Sequence, residues 1–205
     1  MIPRSTRRGI LASLACVLVP SNAMAANPTP RQAEGPFYPR NSDRLADEDW
    51  DLVKIDGSVR HAGGEILHLS GQVRTRNGDP APGIIVEIWQ CDVNGRYRHA
   101  GDRGVGRPLD EAFQGFGRTR TDDRGRYRFR TIRPVSYPGR TPHIHAKVFR
   151  DDGSVLTTQI YVDGEPANRH DFLFRSLGRR AQAALSMPVD RRRDGELKST
   201  FDFVI

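Results

Sequence analysis

Two histidines that stand two positions apart, His143 and His145, are the side chains of this sequence that most directly suggest chemistry. They open residues 143–149, an apolar-rich run that predicts a β-strand, and residues two apart on a strand project from the same face. Two imidazoles on one face can bind one metal ion together. By itself such a pair is more often a packing or surface feature, and the metals it would suggest are zinc and copper.

The ten residues before the histidine pair form a loop that could hold further ligands beside it. Residues 133–142 (RPVSYPGRTP) contain three prolines together with Tyr137 and Arg140. Fixed proline backbone angles reduce the entropy lost when such a loop adopts one conformation. A second tyrosine, Tyr97, lies in a turn-rich segment, residues 94–99, that follows a predicted buried strand. The alternative interpretation of Tyr97 is a packing aromatic, which composition does not exclude.

Several segments of the chain, taken in their order and spacing, resemble the intradiol ring-cleavage dioxygenases, especially the protocatechuate 3,4-dioxygenase type. The resemblance covers most of the chain after residue 25. Its segments are 34–39 (EGPFYP), 69–73 (LSGQV), 86–90 (VEIWQ), 95–99 (GRYRH), 131–134 (TIRP), 137–138 (YP) and 142–145 (PHIH). Their order and spacing make the resemblance specific.

The resemblance implies a ferric site. In that family Fe(III) is held by two tyrosinates, two histidines and a solvent ligand, and the matching positions here are Tyr97, Tyr137, His143 and His145. The chemistry agrees with this assignment, because a phenol, whose pKa is normally about 10, ionises more readily beside a trivalent cation. Two anionic oxygens in turn favour Fe(III).

The resemblance also implies the reaction, in which O2 opens a catechol-type ring between its two hydroxyl-bearing carbons and gives a cis,cis-muconate. The substrate binds as a chelating dianion, and Tyr137 is the tyrosinate that leaves the metal and takes a proton. Arg140 matches a family arginine that stabilises negative charge developing on the ring. A guanidinium suits that role because it stays charged in a low-dielectric pocket.

Three further residues are implied to contact the substrate. Gln159 matches a family glutamine near the substrate, and Pro36 and Tyr38 belong to an N-terminal segment that lines the pocket in relatives. Each has a plainer alternative, since Gln159 could be a strand-edge amide, and a proline and a tyrosine are common where an arm packs over a sandwich.

The sequence departs from the family in two places. Few residues precede Glu34, which argues against the catechol 1,2-dioxygenase branch, because that branch carries a helical N-terminal dimerisation segment. The loop between Tyr137 and Arg140 is very short, which removes pocket-wall residues that protocatechuate enzymes supply from a longer loop. We therefore expect catechol, a substituted catechol or hydroxyquinol as substrate. The sequence does not fix the oligomeric state, and a homo-oligomer is one possibility.

The composition is typical of one globular, turn-rich domain. The 205 residues include 20 Gly and 14 Pro, which favours short strands over long helices. The net charge of +7 raises nucleic acid as a partner, but the basic residues are scattered. The one tight basic cluster after the leader, residues 191–193, has no interleaved stacking aromatics, so no nucleic-acid surface is predicted.

Residues 1–25 are predicted to be an export signal. Basic residues precede an apolar stretch, residues 10–20, and the small residues at 23–25 form a cleavage motif, so cleavage is expected after Ala25. Residues 6–11 (TRRGIL) resemble a twin-arginine signal, which exports folded proteins. The mature protein is therefore expected to be periplasmic or secreted. The apolar stretch is too short to remain as a membrane anchor.

Short apolar runs separated by turn residues predict an all-β fold, a single antiparallel β-sandwich with long loops. Residues 26–64 lack periodicity and predict an N-terminal arm, whereas residues 65–205 form the sandwich that carries the catalytic residues. One or two short helices are expected, at 168–177 and 180–187. The predicted strands are 67–73, 84–89, 126–130, 143–149, 157–162 and 200–205.

Two other functions compete with the dioxygenase. A non-catalytic, secreted β-sandwich that binds a ligand or partner would keep these motifs as packing and would hold no iron. A copper protein would use Cys91 with His143 and His145, but the compact Cys and His loop with a nearby axial Met that is typical of blue-copper sites is missing.

Overall fold

The computed structural model describes residues 26–205, so the predicted export signal at 1–25 lies outside the described residues. In the described part no helix is both long and apolar enough to span a membrane. The chain forms ten short strands, one 3-10 helix (Pro166–His170) and two α-helices, α1 (Phe172–Ser176) and α2 (Arg179–Ala184). The strands are β1 (Ile66–Arg74), β2 (Ile85–Trp89), β3 (Phe116–Arg120), β4 (Arg126–Ile132), β5 (His143–Arg150), β6 (Gly153–Val162), β7 (Ser186–Met187), β8 (Asp190–Arg191), β9 (Leu197–Thr200) and β10 (Phe203–Val204).

The strands form two five-stranded sheets. In the first sheet β1 pairs with β4 on one side and with β9 and β10 on the other, and β8 lies beside β9. The second sheet has the order β3-β2-β5-β6-β7. The predicted all-β sandwich is confirmed. Its sheets are mixed rather than wholly antiparallel, because β9 and β10 run parallel to β1 and β7 runs parallel to β6.

The break between β9 and β10 depends on Gly71. A Cβ built at this position would lie 1.8 Å from the carbonyl oxygen of Phe201. The chain between the two strands therefore passes directly over β1 where β1 has no side chain. The sequence predicted one strand at 200–205, and this close approach explains why the structure has two short ones.

The hydrophobic core lies between the sheets. From the second sheet, alternate residues of β2 and β5 point into it, including Val86, Ile88, Ile144 and Val148, all fully buried. The first sheet supplies the facing residues Leu67, Leu69, Val73, Tyr127 and Phe129. Burial of apolar area on this scale is the main stabilising contribution in a domain of this size.

The remaining residues of β2 and β5 project from the opposite, outer face of the second sheet. Trp89 pairs with Phe116 on one side and with His145 on the other, and His145 pairs in turn with Gln159. This register places the four side chains in one row across the sheet. His143 lies in the next row, opposite Tyr161.

The N-terminal arm covers this outer face. Residues 26–64 contain no helix or strand, only isolated bridges. The amide of Gln32 donates to the carbonyl of Thr157 on β6, and the amide of Arg118 on β3 donates to the carbonyl of Glu48. Between these two points the arm passes over β5 and β2, so it closes the outer face over the histidines.

Candidate active site

Four rings surround one point above the outer face of the second sheet. The centroids of Tyr97 and Tyr137 lie 5.4 Å apart, those of Tyr137 and His143 lie 5.6 Å apart, and those of His143 and His145 lie 4.7 Å apart. The centroids of His145 and Tyr97, the remaining neighbours in this closed circuit of rings, lie 6.1 Å apart. The structure therefore brings together the four side chains that the sequence proposed as ligands.

The two imidazoles aim the same nitrogen at each other. The Nε2 atoms of His143 and His145 lie 3.1 Å apart, while Nδ1 of His143 lies 2.6 Å from the carbonyl oxygen of Thr141. That carbonyl can only accept, so Nδ1 of His143 carries the proton and its Nε2 presents a lone pair. The ring of His145 is stacked on Trp89, with centroids 4.8 Å apart and planes 10° from parallel.

Tyr97 is positioned by a turn that two aspartates organise. The carboxylate of Asp92 accepts hydrogen bonds from the backbone amides of Asn94 and Arg96, each at 2.9 Å, and the amide of Tyr97 donates to Asp102 at 2.8 Å. The turn abuts the second tyrosine loop, because a Cβ at Gly95 would lie 2.8 Å from the carbonyl oxygen of Ser136. Neither aspartate was predicted from the sequence, although Asp-x-Asn-Gly is a known turn signal.

Tyr137 and Arg140 lie at the two ends of a tight hairpin. They form an isolated antiparallel bridge in which the amide of Arg140 donates to the carbonyl of Tyr137 at 2.9 Å. The turn between them is Pro138-Gly139, and Gly139 takes a φ of +81°, which favours glycine. One guanidinium nitrogen of Arg140, Nη1, lies 3.3 Å from the Tyr137 hydroxyl, so the short loop places the charge beside the phenol.

The other two guanidinium nitrogens of Arg140 have partners from distant parts of the chain. Nε donates to Asp171 at 2.8 Å and Nη2 donates to the side-chain oxygen of Gln159 at 2.6 Å. The amide nitrogen of Gln159 donates to the carbonyl of Ala33 in the arm at 2.8 Å. Gln159 is thus fully buried beside Arg140 with both ends of its side chain bonded to protein groups. Asp171 was not identified from the sequence.

The arm supplies a wall of the site, mainly through residues other than those the sequence proposed. Phe37 is stacked on Tyr97 with centroids 4.8 Å apart and meets Tyr137 edge-on at 6.3 Å. A Cβ at Gly35 would lie 3.2 Å from Cε1 of His145, so the arm backbone passes next to that ring. Pro36, between them, is exposed.

Tyr38 turns away from the four rings. Its hydroxyl donates to Glu87 at 2.7 Å, its ring meets Trp89 edge-on at 4.9 Å, and the ammonium group of Lys147 lies 3.7 Å from its centroid. Glu87 is almost fully buried and also forms an ion pair with Arg118 at 2.8 Å. These contacts attach the arm to the sheet and support the Trp89 ring behind His145.

Burial sets the protonation of the four side chains in the absence of a cation. It raises the pKa of Tyr97 well above 10.0, with smaller contributions from Cys91 and Tyr137. It also raises the pKa of Tyr137, against the opposing charge of Arg140. Burial, followed by the charge of Arg140, lowers the pKa of His143 to about 4, and burial and His143 lower that of His145 well below 6.5. Both imidazoles are therefore neutral donors near neutral pH.

The arrangement fits a hard cation. Within residues 26–205 the buried Tyr97 hydroxyl has no hydrogen-bond partner, and an unsatisfied buried polar atom of this kind calls for an explanation. A cation between the rings would use both Nε2 lone pairs and offset the burial that holds the phenols neutral. The same part of the chain has no group of three His, Cys, Asp or Glu side chains that could hold a metal ion.

Cys91 takes no part in such a cluster. It is buried, its thiol lies 3.6 Å from the carbonyl oxygen of Val135, and burial raises its pKa to about 12. The thiol donates to that carbonyl, and Cys91 packs in the apolar cluster that contains Trp89 and Phe116.

Comparison with known proteins agrees with this geometry. A protein-family model described as a dioxygenase matches residues 33–205. The chain is 36% identical over 186 residues to the protocatechuate 3,4-dioxygenase beta chain of Burkholderia cepacia, covering 85% of this chain and 78% of that protein. It is 32% identical to a catechol 1,2-dioxygenase of Acinetobacter baylyi, where the match covers 72% of this chain and spans 50% of the relative's length.

Solved structures give the same result. The dioxygenase domain of a dioxygenase carbohydrate-binding protein fusion from Streptomyces sp. SirexAA-E matches with a TM-score of 0.68 and 35% identity, over 87% of this chain and 98% of that chain. An intradiol ring-cleavage dioxygenase from Tetranychus urticae matches with a TM-score of 0.67 over 88% of this chain and 95% of that chain. At 21% identity the second match supports the fold alone.

Proposed function

Because the chain belongs to the intradiol ring-cleavage dioxygenase family, we propose that it is an Fe(III) enzyme that opens a catechol-type ring between its two hydroxyl-bearing carbons. The observation that carries the proposal is the closed circuit of the buried Tyr97, the half-buried Tyr137 and two buried histidines, with the Nε2 atoms of His143 and His145 facing each other at 3.1 Å. Tyr97, Tyr137, His143 and His145 would hold the iron. Bound there, Fe(III) supplies the redox chemistry that makes a catecholate ring reactive toward O2.

The protein's own groups prepare the substrate. In the proposed reaction the Tyr137 oxygen accepts a proton from a substrate hydroxyl, and of the two tyrosines it is better suited because it is only partly buried. The guanidinium of Arg140, already 3.3 Å from that oxygen, stabilises negative charge on the bound ring. After the Tyr137 oxygen has taken up this proton, it can still accept a hydrogen bond from Arg140, because the hydroxyl oxygen keeps a lone pair.

The remaining walls orient the ring and limit water. Thr141 holds the tautomer of His143 through its carbonyl, and Trp89 fixes the plane of His145 by stacking. Phe37 in the arm covers Tyr97, which is 3% exposed. Exclusion of water strengthens the interaction of Arg140 with a charged ring, because the local dielectric constant is lower.

For the substrate we propose catechol, a substituted catechol or hydroxyquinol. The hairpin between Tyr137 and Arg140 has two intervening residues, so it offers little wall on which to recognise a ring carboxylate. The relatives include a protocatechuate enzyme, catechol enzymes and a hydroxyquinol enzyme, so the proposed catechol and hydroxyquinol substrates are both ones that relatives are named for. Two relatives are named as an alpha chain and a beta chain, which supports assembly into an oligomer as part of the proposal.

The test is the visible spectrum and iron content of purified protein, with and without catechol under anaerobic conditions. Tyrosinate bound to Fe(III) should give a wine-red colour that shifts when catechol is added, and Tyr97→Phe should abolish it. Tyr127→Phe is the matched control, since Tyr127 is another buried tyrosine whose hydroxyl donates to the carbonyl of Phe201 in the core. A colourless wild-type protein that cannot be reconstituted with iron would replace this proposal with the binding-module function.

Export is also part of the proposal. The twin arginines Arg7 and Arg8 and the cleavage motif ending at Ala25 support a route that carries folded, metal-loaded protein to the periplasm or beyond. Fractionation of cells that express the full chain tests this. Wild-type protein should leave the cytoplasm and begin at Ala26, whereas the double variant Arg7→Lys with Arg8→Lys should stay inside.

A further inference from the structure

Asp171 forms a buried ion pair with Arg140, and we propose that it is a positioning residue that fixes the guanidinium at the proposed ring-cleavage site. The inference rests on the proposed function, since the direction in which Arg140 points matters only if a charged ring binds beside it. Asp171 stands 31 residues after Arg140. It caps α1, in a part of the chain that carries none of the proposed ligands.

The ion pair between the two residues is buried. The side chain of Asp171 is 0% exposed and that of Arg140 is 8% exposed, and the Nε to Oδ2 distance is 2.8 Å. A buried pair of this kind is strongly directional, because loss of one partner leaves the other charge unpaired in the interior. The carboxylate is itself held, since it accepts from the amides of Thr141 and Phe174, each at 2.9 Å.

Asp171 and Gln159 together leave one direction free. Asp171 binds Nε of Arg140 and Gln159 binds Nη2 at 2.6 Å, and these are adjacent nitrogens on one edge of a planar group. The third nitrogen, Nη1, is left pointing toward the Tyr137 hydroxyl. With both nitrogens of that edge bound, the guanidinium can rotate neither away from Tyr137 nor into solvent.

The same segment also supports His143. Asn168, in the 3-10 helix before Asp171, accepts from the hydroxyl of Thr141 at 2.8 Å, and the carbonyl of Thr141 binds Nδ1 of His143. A change at Asp171 could therefore act through Arg140 or through Thr141 and the metal ligand. The experiment has to separate these two routes.

Asp171→Asn is the decisive variant. An asparagine is isosteric but has only one acceptor oxygen. At the position of Oδ2 that oxygen can still accept from Arg140 and Thr141, whereas the negative charge and the cap on the amide of Phe174 are lost. The control is Asp163→Asn, the same change at an exposed aspartate that precedes the 3-10 helix. Five quantities are measured for each protein: iron content, melting temperature, the anaerobic Kd of 4-nitrocatechol, and kcat and KM for the best catechol.

For Asp171→Asn we expect iron content close to wild type and a Tm lowered by no more than about 2–4 °C. The value of kcat per bound iron should fall about tenfold or more, as expected for loss of a charge-assisted hydrogen bond that orients a catalytic group, and 4-nitrocatechol should bind more weakly. Asp163→Asn should match wild type in all five quantities.

A double-mutant cycle tests whether the effect passes through Arg140. In an Arg140→Lys background, Asp171→Asn should reduce kcat by about twofold or less, because the group that it positions is already gone. If the two effects multiply fully, or if Asp171→Asn loses iron and turnover in the same proportion, the role is structural and the proposal is overturned.

Wild-type kcat and Kd in Asp171→Asn would also overturn it. If that variant does not fold, Asp171→Glu takes its place, because it keeps the charge and moves it by one methylene. A wild-type kcat in Asp171→Glu would contradict the proposal, and a reduced kcat with normal iron content would support it. Wild-type protein without iron or turnover refutes the proposed function itself, whereas active wild type with an unaffected Asp171→Asn refutes only the positioning role.

Discussion

The two faces of β2 and β5 are buried almost equally and for different reasons. On the inner face Ile88, Ile144 and Val148 meet apolar residues of the first sheet. On the outer face Trp89, His143 and His145 are equally hidden, yet what hides them is the arm and two loops. One face is closed by a second sheet and the other by segments with no helix or strand.

The difference separates stability from chemistry. The side chains on the inner face contain no polar atoms, so their removal from water stabilises the fold whatever apolar partners they meet. Outer-face residues hold buried nitrogen and oxygen atoms whose placement depends on particular partners, such as the Thr141 carbonyl for His143. We therefore expect substitutions on the inner face to change the free energy of unfolding, and substitutions on the outer face to change metal binding and turnover.

The sharpest test of this separation uses neighbours that point to opposite faces, and the larger effect is expected at His145. His145→Gln removes one of the two facing Nε2 donors while keeping a side chain of similar length on Trp89. Turnover should fall by about a thousandfold or more, because a lost ligand disturbs both the site and its charge balance. Iron content and steady-state kinetics measure this. Retention of full iron and turnover would remove His145 from the proposed ligand set.

Ile144→Ala is the complementary change on the inner face. Ile144 is fully buried in the core, so its truncation should reduce the free energy of unfolding by about 2–5 kcal/mol. Urea denaturation measures the loss. The protein that remains folded should bind iron normally and turn over at close to the wild-type rate per iron. A selective loss of iron in Ile144→Ala, with little change in stability, would show that the two faces are not separable.

The sequence predicted the inner face well. Strict alternation in residues 67–73 and 126–130 and the apolar run at 84–89 identified β1, β4 and β2 to within two residues at each end. Such periodicity works because one repeating rule, burial of alternate residues, governs the whole strand. β3 was not predicted, since its sequence FGRTR is polar and its place in the sheet comes from pairing with β2.

The outer face was predictable only in part. Spacing on one strand indicated His143 and His145, and Tyr97, Tyr137 and Arg140 followed from family resemblance. The side chains that hold these groups were missed, among them Asp102 and Asp171, because each acts through a contact that no local pattern records. Phe37 was passed over for its neighbours Pro36 and Tyr38, because which residue of an irregular arm faces inward follows no repeat.

The arm gives a third test, at Gly35. Its φ is +78°, and a Cβ would lie 3.2 Å from Cε1 of His145. An alanine here would therefore have both an unfavourable backbone conformation and a close contact with the His145 ring. Gly57→Ala is the matched control, with a φ of +77° and no atom within 4 Å of the added carbon. Both variants should lose about 1–2 kcal/mol of folding free energy from the backbone alone. Gly35→Ala should in addition bind iron about tenfold more weakly in a chelator competition, whereas an equal affinity in both variants would place the arm away from the site.

The smallest expected effect is a pH dependence of the stability that the Asp171 carboxylate contributes. Burial would raise the pKa of this carboxyl, but hydrogen bonds from the amides of Phe174 and Thr141 and from Arg140 outweigh it and lower the pKa below 3.8. The folded state therefore binds fewer protons than the unfolded state just below that value, and the stabilisation is present above it and lost as the pH falls through the lowered pKa.

Asparagine at 171 has no such titration. The difference in unfolding free energy between wild type and Asp171→Asn should be on the order of 1 kcal/mol at pH 6 and should shrink as the pH falls below 3.8. Urea denaturation of both proteins across that range measures it. Ile144→Ala, whose loss is apolar, should show a difference from wild type that does not change with pH. A constant difference for Asp171→Asn as well would mean that its carboxylate contributes through packing, as inner-face residues do, and not through its charge.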